Sequence, residues 1–291
     1  MRQGLLLLLA AALLLAGPWS AAAGEPKTKK IVLVGMKRDH AAGEHEYMAG
    51  LALIAECLKQ TPGVEVVTVK VDFDKDQGLP EEAAKALEGA NCVVTFLKAG
   101  GTYFMKNAER KTKLEALLKQ GTGFVALHWA VEASINKVNY GEPYKVILGG
   151  YYEPDYSKNP HNTAKVEQAD PSSPINHGWE SFEARDEFYF KIRLLPDAKP
   201  VVKATLADRD KTVYKDETIA WTFERKDSKG PLGPGRSFGF TGCHFHQNFG
   251  IPEFRKLIVN GILWTTGVEV PQEGAPVMLK APVPKVPEAS K

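Results

Sequence analysis

Four short apolar runs, alternating with stretches of helical spacing, constrain the fold of this chain more than any other feature. The runs are Ile31 to Gly35, Val64 to Val71, Asn91 to Leu97 and Gly123 to Leu127. Each is too short for a helix and suits a strand, and the apolar ones suit burial on both faces of a parallel sheet. Between them, His45 to Leu58 repeats its apolar residues at helical spacing and is stopped by Pro62-Gly63. Pro80 to Leu87 predicts a helix with proline in its first turn, and Glu109 to Lys119 a further one. Such alternation specifies a doubly wound, parallel α/β sheet. In an open sheet of this kind the ligand crevice lies at the carboxyl ends of the strands. His128 stands at that end of the fourth run, with Glu132 four residues on.

The second half is less regular. Tyr144 to Leu148 reads as a short helix closed by Gly149-Gly150. Residues 151–180 are loop-rich, with Pro154, Pro160, Pro171 and Pro174 around His161 and His177. A loop of that length in a compact domain is usually functional. Extended segments are expected near Glu187–Leu194, Val201–Leu206, Thr218–Phe223 and Ser237–Phe240, lengthening the sheet or adding an antiparallel edge. Pro252 to Thr266 predicts an amphipathic closing helix with Phe254, Leu257, Ile258, Ile262 and Leu263 on its inner face. These elements make one domain over residues 28–268, and the proline-rich stretch 269–291 is expected to be disordered or extended.

Residues 1–23 stand apart. Arg2, the apolar block Leu5 to Ala16 and Ala21-Ala22-Ala23 form a secretory signal peptide, with a block too short for a span of about 20 residues. The expected mature protein is periplasmic or secreted, with no stable membrane insertion after cleavage. The full chain has 37 Lys+Arg and 35 Asp+Glu; losing Arg2 leaves 36 against 35, a net +1. That balance offers no electrostatic basis for binding nucleic acid. Cys57, Cys92 and Cys243 cannot make a disulfide framework. The first strand-loop lacks both the G-x-G-x-x-G pattern and a Walker-type G-K-[ST], so nucleotide binding is unsupported.

Chemistry falls to histidines and carboxylates. None of the seven histidines lies within the interior of a long helical pattern; His45 stands at the start of one and the others at strand ends and in loops. His244 and His246 are two apart, so in extended backbone both would face one ligand or metal. If the strands before His45, His128 and the His244-His246 pair run parallel, these side chains share one rim. His128, His244 and His246 are candidate ligands for a divalent ion such as zinc; in the alternative without metal, His128 and His244 are general acid/base groups, with Glu187 as carboxylate partner. His45, Trp129, His161, His177, Tyr189 and Trp221 are candidate substrate contacts, aromatic faces beside polar groups suiting sugar rings. No serine or cysteine elbow follows the fourth run, where His128 occupies the place of an elbow nucleophile, and Cys243 only neighbours the histidine pair.

The chain resembles the ThuA-like (trehalose utilisation) family. The matching residues are Gly121-x-Gly-Phe-Val-Ala-Leu-His128, Leu148-Gly-Gly150, His161, Pro174-Ile-Asn-His-Gly178 and Asp186-Glu-x-Tyr189. They continue with Ala220-Trp221, Gly235-Arg236, Thr241-Gly-Cys-His244 and Asn260-Gly-Ile-Leu-Trp264, so the match spans roughly residues 30–267. The resemblance implies a flavodoxin-like fold similar to class I glutamine amidotransferases. It also implies a role in carbohydrate metabolism, with a small-molecule carbohydrate, 3-keto sugars included, as partner. It does not imply amidotransferase activity, because the family carries histidine where amidotransferases carry cysteine. Cys243 stands where the family often has glycine, and His246 lies outside the commonest pattern. Two readings follow: a hydrolase or lyase acting on a sugar or keto-sugar glycoside, or a non-catalytic glycan- or partner-binding module on the same fold.

Overall fold

The computed structural model describes residues 28–75, 77–226 and 232–284, so the signal-peptide segment 1–23 lies outside the described residues. Strands β1 (Lys29–Gly35), β2 (Val64–Lys70), β3 (Cys92–Phe96) and β4 (Gly123–Leu127) alternate with helices. The helices are α1 (Tyr47–Leu58), α2 (Glu81–Ala86), α3 (Gly100–Met105) and α4 (Ala108–Lys119). After α5 (Gly141–Leu148) come β5 (Asn162–Gln168), β6 (Phe182–Asp186), β7 (Lys199–Ala207), β8 (Val213–Arg225) and β9 (Gly235–Phe240), and α6 (Pro252–Thr266) closes the domain.

Among the described residues these strands form one sheet in the order β2-β1-β3-β4-β9-β8-β7-β5-β6. The first five run parallel, in the 2-1-3-4-5 order of a flavodoxin-like sheet. The remaining pairings are antiparallel. Every residue of β3 and β4 is buried, as the uninterrupted apolar runs require of strands covered on both faces. Helix α6 presses on β4 and β9 where Gly123 and Gly261 leave out a side chain. A Cβ at Gly123 would strike the backbone of Thr265, and one at Gly261 the ring of Phe238.

Three expectations change. The stretch 151–180 holds strand β5, whose inward Ala164 and Val166 alternate with polar residues and so give a weak apolar signal. The segment expected near Glu187–Leu194 enters the large sheet earlier, as Phe182–Asp186. The chain leaves the sheet there because the Asp186 carboxylate accepts from its neighbour's N–H and from a distant loop. The tail is not disordered over its first part. Val270, Ala275 and Val277 are buried, Asn260 accepts from Ala275 N–H at 2.8 Å, and Gln60 exchanges hydrogen bonds with the backbone of Met278. Apolar residues between the prolines anchor an extended strap that needs no ladder of its own. No described helix is long and apolar enough to cross a membrane.

Candidate functional site

Three strand ends deliver the site. After β1 the loop reaches His45, with φ +47°, just before α1 begins. After β4 the backbone turns sharply at His128, with φ +53°. After β9 it turns at Cys243, with φ +94°, and presents His244. Side-chain-bearing residues take such left-handed conformations at a cost, and they gather where the surrounding structure imposes them. The parallel register imposes one here: Leu127 pairs with Phe240, so Thr241 lies beside His128 and its carbonyl accepts from Nδ1 at 2.9 Å. The first and last loops also pair. His45 N–H donates to His244 O at 3.0 Å, His246 N–H to Gly43 O at 2.8 Å, and Glu44 and Phe245 form an antiparallel bridge.

The three imidazoles meet in the buried interior, His45 at 1%, His128 at 0% and His244 at 3% exposure. His45 Nε2 lies 3.0 Å from His128 Nε2 and 2.9 Å from His244 Nδ1. Glu187 Oε2 approaches His244 Nδ1 at 3.4 Å and His128 Nε2 at 3.7 Å. These four ligand atoms all lie within 4.8 Å of one another.

Proton bookkeeping shows what this cluster suits. Thr241 O only accepts, so His128 Nδ1 carries the hydrogen and Nε2 is bare in the neutral ring. Asp39 Oδ1 takes a hydrogen bond from His45 Nδ1 at 2.9 Å, which leaves His45 Nε2 bare as well. Burial opposes ionisation of Asp39, yet hydrogen bonds from His45 and His40 hold it below the usual carboxylate range. Burial, reinforced by the neighbouring His45 and His244, pushes His128 well below the usual imidazole range; burial also lowers His45. With both rings neutral, two lone pairs face each other at hydrogen-bond distance, a contact that a cation between them would relieve. Tetrahedral zinc with bonds of about 2.0–2.1 Å sets its ligand atoms about 3.3 Å apart, within the 2.9–3.7 Å range of the four separations just given. The carbonyl and carboxylate on the outer nitrogens are the partners that fix metal-ligating histidines.

The glutamate and the last histidine share one support. Asp186, fully buried, accepts from Cys243 N–H at 2.8 Å and His244 N–H at 2.9 Å. It also accepts from Glu187 N–H at 2.9 Å and Asn248 Nδ2 at 3.0 Å. Burial pushes its pKa up and these donors oppose the rise. At the rim, Trp129 lies 5.4 Å from the His45 ring and donates through Nε1 to Glu132 Oε2 at 2.5 Å. Burial pushes the Glu132 carboxyl up to about 7. Tyr189 stacks 4.8 Å from His128.

The model of the ThuA family, described as trehalose utilisation, matches residues 32–265. The chain belongs to the ThuA family. Among solved structures it is similar to a putative ThuA-like protein from Parabacteroides merdae ATCC 43184, with a TM-score of 0.60 and 15% identity over 86% of this chain and 98% of that one. A putative ThuA-like protein from Bacteroides uniformis ATCC 8492 gives 0.58 and 18% over 89% and 99%. At these identities the likeness shows the fold. No curated protein matches the chain.

Of the residues singled out in this ThuA-family sequence, His45, His128, His244 and Glu187 form the cluster, with Trp129 and Tyr189 packed against it. His161 stands at its edge, 5.0 Å ring to ring from His244. His246 is not part of the cluster. A 3-10 turn begins at that residue, so the extended geometry needed to aim His244 and His246 together is lost, and its ring packs 5.7 Å from Phe249. His177 binds the tail carbonyls of Val270 and Pro271 at 3.2 and 3.1 Å. Trp221 is buried within the sheet and donates to Leu148 O at 2.9 Å. Cys243 is buried, and burial pushes its thiol well up, against a nucleophilic role. Asp39 and His40 are not among the residues singled out from the sequence, and Asp186 appears there only in the Asp186-Glu-x-Tyr189 segment, without a role of its own. Their signal was adjacency: Asp39-His40 in the loop after β1, and Asp186 directly before Glu187.

Proposed function

We propose that this ThuA-family chain is an exported enzyme that cleaves a sugar or oxidised-sugar glycoside at a divalent-metal centre. His45, His128, His244 and Glu187 would hold the ion. Family membership supports a carbohydrate role, and the amino-terminal block Leu5 to Ala16 supports export. The observation that carries the chemistry is the 3.0 Å contact between His45 Nε2 and His128 Nε2, whose outer nitrogens face Asp39 and the Thr241 carbonyl. A bound divalent ion of this type polarises a carbonyl or lowers the pKa of a bound water to about 7.

The chain's own groups supply the rest. Trp129 offers an aromatic face at the mouth of the cluster. Glu132, pushed up to about 7, is poised to take and return a proton near neutrality. On a 3-keto glycoside the ketone acidifies the neighbouring C2–H. Glu132 takes that proton, the C1–O bond breaks with its electron pair on the departing oxygen, and the same proton is delivered there. Hydrolytic cleavage would use the same acid with water as nucleophile. Incubating untagged, zinc-loaded protein with disaccharides and their 3-keto derivatives, with mass spectrometry of the products, tests this. Release of the aglycone sugar is expected. A mass lower by one water in the other fragment marks elimination. Unchanged substrates throughout, with zinc demonstrably bound, would refute an enzyme of this class.

A further inference from the structure

Beside the histidine cluster lies a cavity of about 330 Å³ that neither the histidines nor Glu132 line. It is walled by the loop after β7, through Asp208 and Arg209, and by the segment that carries Tyr152, Ser157 and Asn159. Its size is that of a small-ligand site, whose typical range begins at about 300 Å³. We propose that this cavity is the subsite for a second, uncharged sugar ring of a disaccharide, the first ring lying at the histidine cluster; this rests on the functional reading above.

Two observations join the spaces. Asn159 is their common wall: Nδ2 donates to Glu187 Oε1 at 3.3 Å, while Glu187 Oε2 faces the histidines. The aromatic rings also run from one to the other, His128 to Tyr189 at 4.8 Å and Tyr189 to Tyr152 at 4.8 Å. Tyr189 is buried between the two spaces and packs behind Tyr152, the ring that lines the cavity and that a sugar entering it would meet.

The lining selects the class of occupant. Lys158, Arg209, Asp208 and Asp210 all line the cavity, so two cations balance two carboxylates and the lining offers donors and acceptors without net charge. That suits hydroxyl groups rather than a phosphate or an apolar body. The acceptor side is built in advance. Asp208 is fixed by the N–H groups of Asp210 and Thr212, both at 3.0 Å, and by Tyr214 OH at 3.1 Å. The donor side is free to engage, since Arg209 is exposed and has no ion-pair partner among the described residues.

The test is calorimetric titration of zinc-loaded full-length protein with 3-keto-glucose and with 3-keto-trehalose at low temperature. The wild type should bind the disaccharide at least about tenfold tighter. Arg209→Ala, on an exposed turn where folding is not at stake, should remove most of that difference and leave the monosaccharide affinity unchanged. Equal wild-type affinities overturn the subsite alone, as does an Arg209→Ala loss that falls equally on both sugars. If neither sugar binds the wild type, the functional reading itself fails and the subsite with it. A crystal soaked in 3-keto-trehalose should show the second ring against Tyr152 and Arg209; a ring elsewhere also overturns the proposal.

Discussion

Replacing Asp186 by alanine tests how much of the site depends on one buried carboxylate. Both of its oxygens are used, Oδ1 by Glu187 N–H and His244 N–H, Oδ2 by Cys243 N–H and Asn248 Nδ2. Alanine removes every acceptor at once, and an unpaired buried donor costs about 1–3 kcal/mol. Relaxation and the release of a buried charge offset part of this sum, so we expect a loss of about 4 kcal/mol, near the upper end for single substitutions. At about 2–4 °C per kcal/mol for a domain of this size, the melting temperature should fall by roughly 10 °C. Asp186→Asn keeps the shape but turns one acceptor into a donor facing N–H groups, and should cost about 2 kcal/mol. Because the same hydrogen bonds aim His244 and Glu187, zinc affinity should drop by about 10–100-fold in the folded alanine variant, as for other supports of metal ligands. Denaturant unfolding and a zinc competition titration measure both effects. An alanine variant within about 0.5 kcal/mol of wild type, the scatter of ordinary surface changes, with unchanged zinc affinity, would show that Asp186 supports nothing.

Three further outcomes are expected. Untagged protein should bind one equivalent of zinc by elemental analysis, with His45→Ala, His128→Ala and His244→Ala each weakening it by at least about 100-fold; His246→Ala and His177→Ala should match wild type, and a large loss at His246 would contradict the assigned ligands. Glu132 is pushed up to about 7 from an ordinary carboxylate value, so its stability contribution is present below that ordinary value and declines as pH rises through about 7; hydrolysis, which needs its proton, should decline over the same range, whereas elimination, which needs the carboxylate as base, should rise. Glu132→Gln should flatten both slopes, and an unchanged pH–rate profile would remove Glu132 from the chemistry. The buried Cys243 thiol, its pKa raised by burial, should resist a thiol-disulfide reagent in the native state and react only on unfolding; modification within seconds would contradict its burial.

How much of this was legible beforehand depends on the range of the signal. The parallel strands β1, β3 and β4 announce themselves because burial on both faces leaves unbroken apolar runs. Strand β5 does not, since it alternates and carries charge on its open face. Helix α3 was missed because Gly100-Gly101, chosen for close contact with Ala130 and Ala133, reads as a loop. In the site, His128 was visible from its place at a strand end. His45 was placed at the rim as a substrate contact, yet its Nε2 touches both other imidazoles. The misreading of His246 is instructive. A two-residue spacing has meaning only once the backbone is known to be extended, and here the turn starts between the two rings. Asp39 and Asp186 act through other residues, and a support of that kind leaves no motif until its partners are located in space.

The last step is why the fold should gather imidazoles at this point. A parallel sheet places the carboxyl ends of β1, β4 and β9 on one edge, so residues up to 199 positions apart become neighbours. At two of those ends a histidine itself is left-handed, and at the third the residue before His244 is. Each such conformation costs of order 1–3 kcal/mol. What the turns accomplish is aim: they point His45, His128 and His244 at one another against their mutual electrostatic preference. Burial then strips the rings of water and holds His128 neutral. A structural core would place leucines there at lower cost. On the metal-centre proposal a cation joins these nitrogens and makes the arrangement favourable, and binding that ion should therefore stabilise the fold. At a free zinc concentration 100 times the dissociation constant the gain is about 2.7 kcal/mol. A melting temperature that does not move with saturating zinc would break this chain of reasoning at its final link.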